Sequence, residues 1–395
     1  MFADLKTLPA DPILGLSALF NAETNPDKVD LGVGVYKNDA GETVIMEAIQ
    51  QAYQHMCNTE GSKVYVSPRG WAGYTDAILQ LALGDDIVSN FGSQIGAIQA
   101  PGGCGALRLG FELIASVSPQ ATVWVSNPTW ANHVPIISAA GLQHKVYNYY
   151  DKASSSVNIP SMIASLEHAK AGDVILLHGC CHNPTGADIP VAEHPALIDF
   201  MKQHKLVPYV DMAYQGFAKG LDEDSALTRS IFAEIPEAFL TYSCSKNFGL
   251  YRERTGAIIV KGTSGGEALI THLCKIARQS YSMPPAHGAA LVATVMQSDT
   301  LNAMWRNELS LMRNRVVGLR QSFANALREK GFSEADCRVG EQTGMFSILN
   351  LTEEQVLKLR SDHAIYMPGS GRINVAGLTP TNIPYTVNAL AQVKK

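Results

Sequence analysis

Between residues 97 and 260, short apolar runs closed by turn signals alternate with stretches of helical periodicity, and few architectures accept that alternation. The runs AIQAP (97–101), ATVWVSNP (121–128), DVILLHGC (173–180), LVPYVD (206–211), AFLTYSCS (238–245) and GAIIV (256–260) read as buried strands. Between them, ALRLGFELIASV (106–117), IPSMIASLEHAK (159–170) and HPALIDFMKQHK (194–205) read as helices. Strands without polar alternation are buried on both faces, so the pattern predicts an α/β chain with a mainly parallel sheet between two helical layers. Polar or special residues follow each strand end, which is where an open α/β sheet binds its ligand.

From about residue 300 the pattern changes. The charged helical stretch 300–331 leads into a smaller unit, expected to run from 312 to the end and to be joined by the N-terminal segment. The length of 395 residues allows such a division, and 46% hydrophobic residues suffice for a large core. A net charge of −5 with no block of like charges gives no sign of a nucleic-acid or anionic-membrane partner. Charged residues make up 17%, below the roughly 25% of average soluble chains. Either a large buried subunit interface or a cold-living source would account for that. No signal peptide or apolar run long enough to span a membrane is visible. Seven cysteines, at 57, 104, 180, 181, 244, 274 and 337, lack CxxC spacing, which points to reduced thiols in a cytoplasm.

Several residues at the strand ends carry chemistry. Gly102-Gly103-Cys104-Gly105 joins a strand to a helix, so its N–H groups could hold a phosphate; a tight structural turn is the plainer alternative. Asp211 closes an apolar strand, either as a satisfied buried carboxylate or as the partner of a protonated pyridine nitrogen. Lys246 follows the next strand in SCSKNFGLY. It is either an ordinary surface lysine or a desolvated amine nucleophile, with Ser243, Ser245 and Arg254 as a phosphate clamp beside it. Asn183 ends a strand in HGCCHNPTG, where Pro-Thr-Gly forces a turn. His178 and His182 beside one cysteine pair are poor grounds for a metal site, and none is expected.

These segments resemble a known family. GGCGALR (102–108), VWVSNPTWANH (123–133), HGCCHNPTG (178–186), VDMAYQGFAKG (210–220), SCSKNFGLYRERTGA (243–257), YSMPPAHGA (281–289) and GRINVAGL (371–378) are similar to class I aminotransferases, in the family's order. Within that class the resemblance is to the aspartate and aromatic amino acid aminotransferases, and it extends from PADPILGL (9–16) to the C-terminal helix. The resemblance implies a pyridoxal 5′-phosphate enzyme of fold type I. Its large domain would cover about 44–311, its small domain 11–43 with 312–395, and its N-terminal arm 1–10. It implies that Lys246 binds the cofactor aldehyde and shuttles the proton. Asp211 would meet the pyridine nitrogen, Tyr214 and Asn183 the phenolic oxygen, and Trp130 the ring face. Ser243, Ser245, Arg254 and the backbone at Gly103 and Cys104 would hold the phosphate, with Tyr65 reaching it from the second subunit of a homodimer. Arg372 would grip the substrate α-carboxylate near Gly34, and Arg278 would cross the interface to a side-chain carboxylate.

Three positions depart from the aspartate-dedicated pattern: Val64 and Met283 where asparagine is usual, and Cys104 where threonine or serine is usual. Lys37 and Thr43 match the aspartate type. The first two changes add apolar surface, which favours an aromatic aminotransferase that still accepts dicarboxylates, over an aspartate-dedicated one. Among rivals, Gly262-Thr263-Ser264-Gly265-Gly266 fits G-x-S-x-G with Ser264 as a hydrolase nucleophile, and Asp336 or Glu341 and His363 follow in order, but no HGGG-type segment appears. Ser243-Cys244-Ser245-Lys246 fits S-x-x-K without its companion motifs. A lyase or synthase on the same fold is a further alternative, because the cofactor's electron sink serves several reactions. A sensor fused to a DNA-binding module finds no room before residue 10.

Overall fold

The computed structural model describes residues 2, 4–7 and 12–394. Half of the expected N-terminal arm therefore lies outside the described residues, as does the start of PADPILGL. Seven strands form the central sheet: β1 (Ile95–Pro101), β2 (Thr122–Asn127), β3 (Gln143–Asn148), β4 (Val174–His178), β5 (Val207–Met212), β6 (Ala238–Ser243) and β7 (Thr255–Lys261). Their spatial order is β1-β7-β6-β5-β4-β2-β3. All neighbouring pairs are parallel except those of β7, which runs antiparallel to both β1 and β6.

Side chains alternate along each strand between two buried clusters. Val123, Val125, Leu176, Tyr209 and Ile258 face one, with helix α1 (Gly102–Val117) and the helix Gly266–Ser280 packed over them. Trp124, Leu177, Val210, Leu240 and Ile259 face the other, under the helices His194–His204, Ala226–Glu234 and Ala286–Gln297. Both faces are covered, as the unbroken apolar runs demand. Strand β3 is the exception to the sequence reading. QHKVYN shows no apolar run because at this edge, unlike the covered edge at β1, most of the strand's side chains are exposed and charge is tolerated.

A single helix, α2 (Asp299–Glu329), runs the length of the charged stretch and passes unbroken through residue 311. Beyond it, Val29–Asp30 pairs in parallel with Ile365–Tyr366, so the N-terminal segment does join the C-terminal part of the chain. Arg320 of α2 is 1% exposed and donates to the carbonyls of Val339, Thr343, Gly344 and Phe346 and to Ser347 Oγ. Burial pulls its pKa down to about 10, yet these five acceptors satisfy its fork without a carboxylate. The clamp fixes the segment that carries Phe346.

Candidate active site

The strand directions bring the polar residues to one edge of the sheet. The parallel strands β2, β4, β5 and β6 end at Asn127, His178, Met212 and Ser243. Because β7 is antiparallel, its first residues lie against the last residues of its neighbours: Gly256 opposite Ser243, and Thr255 opposite Pro101. Arg254 and the start of α1 thus arrive at the same edge as Lys246. There they line a cavity of about 270 Å³.

Every expected site residue except Tyr65 and Arg278 lines this cavity: Gly34, Gly103, Cys104, Trp130, Asn183, Asp211, Tyr214, Ser243, Ser245, Lys246, Arg254 and Arg372. Tyr65 is 90% exposed, and Val64 beside it 80%. Arg278 is exposed and donates to Ser282 Oγ, four residues on in the chain. Neither reaches the cavity of its own chain.

Lys246 sits in the turn after β6, with Nζ 4.6 Å from the Tyr214 ring centroid. Burial pulls its pKa below the usual lysine value, Asp211 pulls it back up, and Arg254 adds to the lowering. An amine so placed is neutral more readily, hence more nucleophilic. Asp211 is 7% exposed. Burial pushes its carboxyl pKa up, but hydrogen bonding and charge from His133, with His178 and Lys246, outweigh this and hold it below the usual value. The Asp211 carboxylate can only accept, so His133 Nε2 donates to its Oδ2 at 3.0 Å, and the ring's Nδ1 is hydrogen-bonded with Thr129 Oγ1 at 2.7 Å. No hydrogen bond reaches Asp211 Oδ1 among the described residues. An anionic oxygen of a largely buried residue that lines the cavity and has no donor calls for a cationic or N–H group there.

At the opposite end, α1 begins at Gly102 after Pro101, with no side-chain cap on its free N–H groups. Gly102 has φ +69°, and a Cβ there would stand 2.5 Å from Arg254 Nη2, so the guanidinium lies directly over the glycine backbone. Arg254 also donates Nη1–H to the Tyr251 carbonyl at 2.9 Å. The Ser243 and Ser245 hydroxyls complete a set of donors suited to a phosphate-sized anion.

Arg372, 6% exposed, donates Nη2–H to the Gly32 carbonyl at 2.6 Å and lies with Cζ 4.5 Å from the Phe346 ring centroid. Its Nε has no partner among the described residues. A buried guanidinium with an unmet donor is prepared for a carboxylate. Gly34 leaves the space, since a Cβ there would come 3.1 Å from Phe346 Cζ. Burial raises the Tyr214 hydroxyl pKa, opposed by the Arg372 charge, so Tyr214 is a neutral donor.

His133, Tyr251, Phe346 and Leu107 join the site although no sequence argument assigns them a role. His133 and Tyr251 lie inside family motifs, so a signal is present; Phe346 lies in a stretch with no motif. His178, a poor metal candidate by sequence, lines the cavity instead, and burial pushes its pKa down to about 3, so it is neutral. The rival nucleophile Ser264 lies on an exposed turn, while Asp336 is bound to Ser333 and to Lys394.

Residues 26–390 match the family described as aminotransferase class I and II. The chain is 44% identical over 380 residues to the tyrosine aminotransferase of Rhizobium meliloti, covering 96% of each protein. It is 40% identical over 395 residues to the aspartate aminotransferase of Salmonella typhi, covering 100% of each. Among solved structures it matches the aromatic-amino-acid aminotransferase from Burkholderia pseudomallei, covalently bound to pyridoxal phosphate, with a TM-score of 0.95, 37% identity and 100% of each chain covered. A buried low-pKa lysine, a donor-lined anion cradle and a full-length match of sequence and fold lead to one conclusion: this chain belongs to the class I and II aminotransferases.

Proposed function

We propose that the chain is a pyridoxal-phosphate-dependent transaminase that moves the amino group of aromatic amino acids, and of aspartate, to 2-oxoglutarate in a ping-pong cycle. The observation that carries it is the position of Lys246, a buried amine of lowered pKa in one cavity with the free Asp211 oxygen and the uncapped start of α1. These two features fit the ring nitrogen and the phosphate of that cofactor. When bound, pyridoxal phosphate supplies an aldehyde for an amine and a ring that withdraws electrons from the substrate Cα.

The chain's residues divide the remaining work. Lys246 Nζ, as a neutral amine, would hold the cofactor through its aldehyde and would be the base for the proton on the substrate Cα. Asp211, oriented by His133, would accept a hydrogen bond from the ring nitrogen and favour its protonated form. Tyr214 and Asn183 would hydrogen-bond the phenolic oxygen, and Trp130 would cover the ring face. Ser243, Ser245, Arg254 and the N–H groups of Gly103 and Cys104 hold the phosphate. Arg372 pairs with the substrate α-carboxylate beside Gly34.

The two residues that face outward, Tyr65 and Arg278, act from a second copy of the chain in a homodimer with shared sites. A groove on the same chain exposes Val44, Ile45 and Tyr53, apolar surface that a subunit contact would cover. Residues 44–311 form the cofactor-binding unit, and 11–43 with 312–395 the smaller one, supported by the Val29–Ile365 pairing. A cytoplasmic location is supported by seven cysteines without disulfides. Among the described residues no helix is long and apolar enough to cross a membrane.

Val64 and Met283 favour aromatic donors. A dedicated aspartate enzyme is the second reading, favoured by Lys37, held 2.8 Å from Asp30, and by Thr43, which match the aspartate type. Side-by-side kcat/KM values for phenylalanine, tyrosine, tryptophan and aspartate, with 2-oxoglutarate as acceptor, separate the two. Aromatic donors should be used at least as well as aspartate, and turnover of aspartate alone would overturn the aromatic part. Lys246→Ala should keep binding the cofactor while losing at least about 10²–10⁴-fold in turnover. Near-wild-type rates in that variant would refute the central assignment.

A further inference from the structure

One thiol shares the cavity with its cationic groups. Cys104 is half-buried, lines the cavity beside Ser243, Ser245 and Arg254, and is the third residue of α1, whose first N–H groups have no side-chain cap. Asn132 Nδ2 donates to its sulfur at 3.7 Å, and it stands close enough to Lys246 for their charges to act on each other. Four of the other thiols, Cys180, Cys181, Cys244 and Cys337, are buried. Cys57 is exposed, Cys274 is half-buried, and neither lines this cavity. Independently of the cysteine, Arg372 lines the same cavity, largely buried and with its Nε unpartnered among the described residues, and so places a second guanidinium there that can meet an anion. Asp211 is the carboxylate among the lining residues, and one of its oxygens is taken by His133.

A helix N-terminus and two guanidinium groups around one concave site focus a positive field. We propose that Cys104 is an anion-directed modification site gated by occupancy of the phosphate seat. In the apoenzyme, small anionic thiol reagents, including carboxylate-bearing disulfides, are drawn to it, and the adduct fills the seat. With a disulfide, the Cys104 thiolate sulfur attacks one sulfur of the reagent. The reagent's S–S bond breaks as the new one forms, and the displaced half leaves as a thiolate that takes up the proton Cys104 released. Cys104 is oxidised and the displaced half reduced, so no further oxidant is needed. The link to the cofactor rests on the proposed placing of its phosphate at the start of α1.

The test uses the full chain as apoenzyme and holoenzyme, labelled with iodoacetate or iodoacetamide and mapped by peptide mass spectrometry. In the apoenzyme, iodoacetate should outpace iodoacetamide at Cys104 by about ten-fold or more, with no such preference at exposed Cys57. Inorganic phosphate should suppress labelling at Cys104 and leave Cys57 unchanged, and Arg254→Gln should erase the anion preference. Oxidised glutathione should block pyridoxal phosphate uptake until a reducing thiol is added. Iodoacetate labelling no faster than iodoacetamide at Cys104, or labelling indifferent to phosphate, overturns the proposal. Protection by phosphate but not by pyridoxal phosphate would uphold the anion-directed thiol and count against the cofactor assignment instead.

Discussion

At the scale of single residues, the site depends on how readily one amine gives up its proton. Burial lowers the Lys246 pKa, Asp211 opposes the shift, and Arg254 reinforces it. Capture of pyridoxal phosphate by the apoenzyme needs the unprotonated amine, so its rate should rise with pH through a midpoint below the ordinary lysine value of 10.5. Asp211→Asn removes an upward influence and should move that midpoint lower. Arg254→Gln removes a downward one and should move it higher. Rates of capture, trapped by borohydride at a series of pH values, would show both shifts. A midpoint at 10.5, or one that moves the same way in both variants, contradicts the electrostatic account. His178, with its pKa near 3, should contribute nothing to these profiles above pH 5.

At the scale of elements, the start of α1 shows how backbone geometry serves the anion cradle. Gly102 combines φ +69° with close quarters: a Cβ there would meet Arg254 Nη2 at 2.5 Å, whereas at Gly103 the nearest atom is Ser243 Cβ at 3.3 Å. Gly102→Ala should therefore strain the backbone, costing about 1–3 kcal/mol, and push the guanidinium aside. Denaturant unfolding and equilibrium binding of pyridoxal phosphate should both weaken more in Gly102→Ala than in Gly103→Ala. Equal effects would mean that the close approach of Arg254 is unimportant. The same element is only partly legible in the sequence. Its apolar face from Ala106 is periodic, but its first turn, glycines and a cysteine, carries no helical signal and follows directly on Pro101, which is paired in the sheet with Thr255.

At the scale of the whole molecule, two side chains expected at the site point away from it. Tyr65 and Arg278 are exposed in a single chain, which the proposed shared-site homodimer would explain. Mixing Lys246→Ala with Arg278→Leu should create heterodimers in which one of the two sites has both residues intact. After subunit exchange at equal amounts, about a quarter of wild-type activity toward aspartate should return, since half the dimers are mixed. No recovery after demonstrated exchange, or full activity in a monomer at high dilution, would refute sharing.

Strand identity, the helices between strands and the residues closing each strand were readable from the chain because burial on both faces leaves unbroken apolar runs. The family motifs sit at those ends, so Lys246, Asp211, Asn183 and Arg254 could be named one by one. Tertiary structure alone decided the rest. The direction of β7 is set by pairing with β1 and β6, and only that direction carries Arg254 to the edge where Lys246 stands. The bond from His133 to Asp211 joins residues 78 apart, and Phe346 reaches Arg372 because its strand pairs antiparallel with Arg372–Asn374, with Arg320 clamping the Phe346 carbonyl. Edge strand β3 hid for the opposite reason, since a strand with solvent on one side needs no apolar run to be recognised by. Local pattern reports which groups must be buried; which of them meet depends on contacts between distant parts of the chain, and no local pattern records those.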